Sequence, residues 1–309
     1  MSLLWTADRL ATHHFANPFL IEPIVPKGGI VLFYGKRGIG KSHFALTVAA
    51  CLSSRGVLFG RYPVHPLGPV IYVQADMTPS VTQERVRRTR KLYSLDHVFF
   101  HFPGFLNMTT LTPEHELVKE IVALHPALVI WDTLRKIHRA GSNDDDTPSL
   151  IYGWAKHLFP TATHLFIHHD KKTIAEQDQL DEEELFRGSG AWLDDADTGL
   201  RLSEIVPGKL VLTFTKTRTC EDQQQLMLSL NLETLLLYAQ GDSLDRLTNW
   251  YRQRHPAAPM HDLEQFLLAS FVGSPRLVRE WLAAPMHAPT GAAAAPLAAE
   301  ATPLRNAVS

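Results

Sequence analysis

Residues Gly35-Lys36-Arg37-Gly38-Ile39-Gly40-Lys41-Ser42 spell G-x-x-x-x-G-K-S, and the chemistry these residue types allow at this spacing is the grip of a polyphosphate. Glycines let the backbone curl until successive N–H groups point inward, a following helix offers its positive end, and the Lys41 ammonium can reach β and γ phosphates. Ser42 supplies a hydroxyl able to hold Mg²⁺. Five later positions bear on the same chemistry. Asp132 closes the apolar run 127–131, where a carboxylate can hold Mg²⁺ directly or through water, or simply end a strand in a turn. Asp76 follows the run 70–75 and can orient an attacking water, or cap a helix that starts near Thr78-Pro79. His169, in His168-His169-Asp170-Lys171-Lys172, can hydrogen-bond a γ phosphate and relay its loss to the loop beyond; packing is the plain alternative, and no third ligand is spaced for a metal. Lys216 and Arg218 can offset charge on a transferred phosphoryl group, on a neighbouring chain's nucleotide as readily as on their own, or can face water.

Such groups need strands and helices to place them. The segment Gly29-Ile30-Val31-Leu32-Phe33-Tyr34 reads as a strand leading into the loop, and Lys41 to Ser53 as the helix leaving it. Further β-favouring runs at 70–73, 98–100, 127–131 and 165–167 are mostly separated by helical patterns, which predicts a mostly parallel twisted sheet covered on both faces. The runs 199–202, 209–214 and 226–237 follow without helix signals and predict an antiparallel extension. The fold class is therefore α/β, of the P-loop kind. The expected division is a lead-in over 1–27, a nucleotide-binding core over 28–240, a helical unit over 241–284 and a disordered Ala/Pro-rich tail over 285–309. Within the helical unit, pieces at 244–254, 262–270 and 275–283, with Gly273-Ser274 between the last two, suggest a helix-turn-helix as well as a simple helical cap.

With 45% hydrophobic and 20% charged residues, the 309-residue chain has a composition suited to one large core plus an appendage. Cys51 and Cys220 lie far apart, without metal-type spacing, so a reducing, cytoplasmic setting is expected. No run approaches a membrane span, and a net charge of −2 does not advertise nucleic-acid binding.

Taken in order, the motifs resemble those of the RepA-type hexameric replicative helicase group, RecA-like P-loop ATPases related to the DnaB-like helicases. The likeness covers roughly 18–237. Pro23 to Gly29 is similar to the lead-in to the first core strand, and Gln74-Ala75-Asp76-Met77 stands where the group has its catalytic glutamate. Val129-Ile130-Trp131-Asp132-Thr133 resembles the second nucleotide motif, and Ala140-Gly141-Ser142-Asn143-Asp144 the acidic stretch after it. His168 to Lys172 resembles the His-His-x-x-Lys sensor. Arg187-Gly188-Ser189-Gly190 and Asp195-Ala196-Asp197 resemble two shorter signatures, and Lys216-Thr217-Arg218 the Lys-x-Arg motif that reaches across a subunit interface.

The resemblance implies an ATP-hydrolysing, Mg²⁺-dependent motor, a homohexameric ring with ATP between neighbours and single-stranded DNA in a channel lined by 135–146 and 171–186. Apart from the resemblance, the helix-turn-helix pattern of the carboxy-terminal helices points to contact with duplex DNA. Two departures stand out: Asp76 replaces glutamate, one methylene shorter, and the second channel segment contains Asp178, Asp181, Glu182, Glu183 and Glu184, which repel phosphates. The acidic segment, together with the helix-turn-helix pattern, favours the alternative of a nucleotide-controlled DNA-binding or regulatory ATPase without unwinding.

Overall fold

A computed structural model describes residues 5–13, 18–54, 57–59, 62–65, 68–138, 146–169, 190–206, 209–218 and 225–239, together with 248, 252, 255–256, 258–264, 279 and 282–283. The chain divides into two compact units, Met1–Asp242 and Ser243–Ser309.

In chain order the first unit holds α1 (Ala7–Thr12), β1 (Phe19–Ile21), β2 (Val25–Pro26), β3 (Ile30–Gly35), α2 (Lys41–Ser53), β4 (Val57–Leu58), β5 (Tyr62–Pro63), β6 (Val70–Gln74), α3 (Pro79–Thr89) and β7 (Val98–His101). There follow α4 (Glu116–Ala123), β8 (Leu128–Asp132), α5 (Asp146–Leu158), β9 (Thr163–His169), a short helix Gly190–Asp194, β10 (Thr198–Val206), β11 (Lys209–Thr217), β12 (Gln225–Leu230) and β13 (Leu237–Ala239). Among the described residues, nine strands form one sheet in the order β13-β12-β11-β10-β3-β9-β8-β6-β7. Pairing is parallel from β10 to β7 and antiparallel from β10 out to β13, as the sequence pattern predicts.

Every residue of β3, β6 and β8 is buried, because a parallel strand inside the sheet is covered on both faces and must be apolar throughout. Alternation sorts their side chains. Val31, Phe33, Leu128, Ile130, Leu165 and Ile167 pack toward α2, whereas Ile30, Leu32, Val129, Trp131 and Phe166 pack with residues of α4 and α5 on the other face. Ten of the thirteen residues of α2 are buried, so the phosphate-loop helix is itself core.

The run 226–237 is not one strand. It breaks at Asn231, whose Oδ1 accepts the N–H groups of Glu233 and Thr234 at 2.9 and 3.1 Å, and Leu235 turns with φ +59°. The resulting turn sits between two helices: His43 Nδ1 of α2 lies 2.9 Å from the Leu235 carbonyl, and Thr89 Oγ1 of α3 donates to the Thr234 carbonyl at 3.1 Å. Two small antiparallel pairs, β1 with β2 and β4 with β5, have no counterpart in the sequence expectation, since strands of two or three residues are too short to show a period.

In the second unit, Met260–Glu264 is helical, Leu263 is buried and Arg279 Nε lies 3.3 Å from Glu264 Oε1. The helix-turn-helix around Gly273-Ser274 and the tail from Pro285 lie outside the described residues, as does Cys220. Cys51 is buried, and burial pushes its thiol up to about 12. No helix among the described residues is long and apolar enough to cross a membrane.

One core contact sets an acid response. His164 is fully buried; its Nδ1 accepts the Trp131 Nε1–H at 3.3 Å and its Nε2 faces the Phe159 carbonyl at 3.3 Å, so both ring nitrogens are committed in the neutral form. Burial lowers its pKa from 6.5 to about 4. The unfolded chain thus binds the proton first as pH falls, and stability present above pH 6.5 is lost progressively down to about 4. His164→Gln retains a donor and an acceptor without titrating. Urea unfolding across this window should lose roughly 1.4 kcal/mol per pH unit less in the variant than in the parent chain.

Candidate active site

Parallel strands β3, β6, β8 and β9 end at one edge of the sheet, the usual place for a site in such a fold. Gly35 closes β3 beside Leu202 of β10 and His169 of β9; a Cβ there would stand 2.3 Å from the Leu202 carbonyl oxygen, so only glycine fits. Gly38 and Gly40 turn with φ +80° and +106°, and Gly40 begins α2 from the left-handed region. His43 and Phe44 N–H return to the Gly40 carbonyl at 2.9 and 3.1 Å, where the helix's own ladder starts. The N–H groups ahead of it, through Lys36, Arg37, Gly38, Ile39 and Gly40, belong to the curled loop. Lys41 is buried, and its Nζ donates to the carbonyls of Gly35 and Lys36 at 2.7 and 2.8 Å, bracing the loop it would share with phosphates.

Asp132 ends β8 and is fully buried. Its Oδ2 accepts Tyr72 Oη–H at 2.8 Å and Gln74 Nε2–H at 3.1 Å. Its Oδ1 has no hydrogen-bond partner among the described residues, and the Ser42 hydroxyl is close enough to act on the charge of both Asp132 and Tyr72. Burial raises the Asp132 pKa, while the hydrogen bonds from Tyr72 and Gln74 and the nearby Ser42 hydroxyl oppose that rise. A spare buried carboxylate oxygen beside a hydroxyl is a hard-oxygen donor set that suits Mg²⁺, so Ser42 and Asp132 fit the ion as a pair.

Asp76 lies exposed in the turn after β6, its N–H donating to Gln74 Oε1 at 3.0 Å. It is not the cap of α3. Thr78 occupies that position, with its Oγ1 3.0 Å from Ser80 Oγ. The two histidines part company because neighbours on a strand face opposite ways. His168 packs edge-on against Trp192, ring centroids 5.9 Å apart, and burial lowers its pKa to about 4. His169 stands level with Gly35; burial, then the cations Lys41, Arg37 and Arg135, lower its pKa against the pull of Asp76, and its Nδ1 has no partner among the described residues. Lys41, Ser42, Asp76, Asp132 and His169 are thus brought together.

Lys216 and Arg218 are not. Register places Lys216 beside Gly199, level with Leu32, and Arg218 one step beyond Thr217, which is level with Val31. Along the strand Leu32 is roughly 10 Å and Ile30 roughly 16 Å from Gly35, so Lys216 starts from mid-strand and Arg218 from the opposite edge to their own loop. Lys216 Nζ donates to the carbonyls of Leu193, at 3.0 Å, and Asp194 at the end of the short helix. Arg218 Nε lies 3.3 Å from Asp197 Oδ1, and Asp197 Oδ2 accepts the Ile30 N–H at 2.8 Å.

Sequence reasoning passed over Tyr72, Gln74 and Arg85. Arg85 of α3 acts electrostatically on both Tyr72 and His43, and its Nη1 is buried without a hydrogen-bond partner among the described residues. The available signal was polarity: Gln74 is an amide at the end of an otherwise apolar, fully buried strand.

A family profile described as AAA domain matches residues 2–175, more than half of the chain. The chain belongs to the AAA domain family. The matched span of this AAA domain protein includes Lys41, Asp76, Asp132 and His169. No curated protein matches it. Among solved structures it is similar to a DnaB-like replicative helicase described with its interactions with primase, at 15% identity and TM-score 0.50, over 68% of this chain and 58% of that one. It thus spans somewhat more than half of that helicase chain. A KaiC-like protein, PH0186 from the hyperthermophilic archaeon Pyrococcus horikoshii OT3, matches at 14% identity and TM-score 0.48, over 71% of this chain and 93% of that one. The fold of this AAA domain protein is that of the RecA-like P-loop ATPases, as its order of motifs implies.

Proposed function

We propose that the protein is a ring-forming ATPase motor, a RepA-type DNA helicase or translocase of replication, cytoplasmic, with ATP completed between neighbouring subunits. The observation that supports this reading is the separation of the two ends of the sheet. Lys41 and its partners lie at one edge, while Arg218 presents a cation at the other, away from its own loop, with Lys216 two residues nearer on the same strand. In this reading residues 28–240 are the ATPase core, 1–27 its lead-in, 241–284 a helical appendage and 285–309 a tail.

The loop N–H groups and Lys41 hold the β and γ phosphates. Mg²⁺ held by Ser42 and Asp132 would supply charge neutralisation at those phosphates. Asp76 positions the attacking water, at a reach one methylene shorter than a glutamate's. His169, neutral near pH 7 because its pKa is lowered, offers a hydrogen bond to the γ-phosphate oxygens and senses their loss. Lys216 and Arg218 of the adjacent protomer offset the charge that develops on transfer.

The acidic stretch Asp178 to Glu184 supports a second reading, a DNA-binding regulatory ATPase that does not unwind. One experiment separates the two: ATP hydrolysis with and without single-stranded DNA, with the mass in solution measured alongside. The expected result is a ring whose turnover rises with single strands. A nucleotide-binding monomer that ignores single strands yet shifts duplex DNA would sink the motor.

A further inference from the structure

Gln74 makes two connections with one amide. Its Oε1 accepts the N–H groups of Asp76 and Met77 at 3.0 and 3.1 Å, and its Nε2 donates to Asp132 Oδ2 at 3.1 Å. The orientation is fixed by complementarity, since a flipped amide would set its NH₂ against two N–H donors and its oxygen against a carboxylate. Gln74 and Asp132 are register partners on adjacent strands, both buried, and the Ala75 N–H donates to the Asp132 carbonyl at 2.7 Å. The backbone therefore ties the turn at Ala75, and among the described residues the Gln74 side chain alone ties the N–H groups of the next two. Tyr72, also buried, donates to the same Oδ2 at 2.8 Å, filling that oxygen and leaving Oδ1 to face outward from the pair of donors.

We propose that Gln74 is a positioning residue that locks the cation-holding carboxylate of Asp132 to the turn carrying Asp76, with Tyr72 fixing the same carboxylate but not the turn. The proposal rests on the reading of Ser42 and Asp132 as the Mg²⁺ pair and Asp76 as the water-positioning acid. It divides two effects that a packing role would not divide. Partners that orient a metal's ligand are typically worth about 10- to 100-fold in metal affinity or activity. Loss of Tyr72 should touch only the metal; loss of Gln74 should touch the metal and the chemistry.

The test uses the full chain and two readouts. Calorimetry with a non-hydrolysable ATP analogue gives the Mg²⁺ dependence of binding, and steady-state kinetics gives kcat at saturating Mg²⁺ and ATP. Tyr72→Phe should raise the Mg²⁺ needed for half-saturation about 10-fold and leave kcat within about 2-fold. Gln74→Met should raise it similarly and also lower kcat at least 10-fold, because Asp76 loses its anchor. Gln74→Ala, which admits water to the two freed N–H groups, has the same two expectations and serves if Gln74→Met does not fold. Metal-free analogue binding should be unchanged in all three. Equal kcat losses in Tyr72→Phe and the Gln74 variants, or a Gln74 variant with normal kcat, would overturn the proposal. A parent chain that binds the analogue with Mg²⁺ but hydrolyses nothing would instead sink the ATPase reading, and the metal arm would still decide the role of Tyr72.

Discussion

Lys41→Ala protein should turn over no measurable ATP, a loss of at least about 10²-fold, in a coupled phosphate-release assay. The size follows from a double duty. The ammonium now braces the loop through the Gly35 and Lys36 carbonyls, and it stands where β and γ phosphates would meet the start of α2. Alanine removes the brace and the counter-charge together. Binding should weaken as well, since a loop with unpaired carbonyls curls less readily around an anion. Lys41→Arg should not rescue, because a planar fork cannot occupy the buried space of a compact ammonium between two carbonyls. Wild-type turnover in Lys41→Ala would remove the phosphate loop from the chemistry.

Arg218→Ala should likewise lose turnover, by about 10³-fold or more if its guanidinium acts as a finger on a neighbour's phosphates, while nucleotide affinity stays nearly unchanged. The own-chain contact with Asp197 does not argue otherwise. Arg218 is 59% exposed, and an exposed pair of this kind costs about 1 kcal/mol or less to part. The decisive measurement mixes the two inactive proteins. Lys41→Ala chains still present Arg218, and Arg218→Ala chains still present a sound loop, so mixed assemblies should recover activity that neither has alone. An inert mixture of assembled chains would show that the cations do not work across an interface.

The loop, its helix and the five core strands were legible because each has a local cause: glycines at left-handed positions, unbroken apolar runs, a Lys-Ser pair at a helix start. Asp132 and His169 were legible because a polar residue ending a buried parallel strand stands out. Other features depend on tertiary contacts. That His169 faces the loop while His168 packs on Trp192 depends on strand register. Asp76 looked as much like a helix cap as a site residue until Thr78 was seen in the capping position. Gln74 was overlooked because an amide carries no charge to flag it, and its worth lies in three partners brought together by the fold. The break at Asn231 was hidden because leucines continue on both sides of it.

The roughly 16 Å between the two edges of the sheet also bears on counting. Subunits joined head to tail leave one loop without a partner at the first chain and one arginine without a phosphate at the last. On the proposed reading, an open arc of n chains would have n − 1 working sites, and only closure would supply the final one. Specific activity should then climb with assembly size and step up once more when the circle shuts.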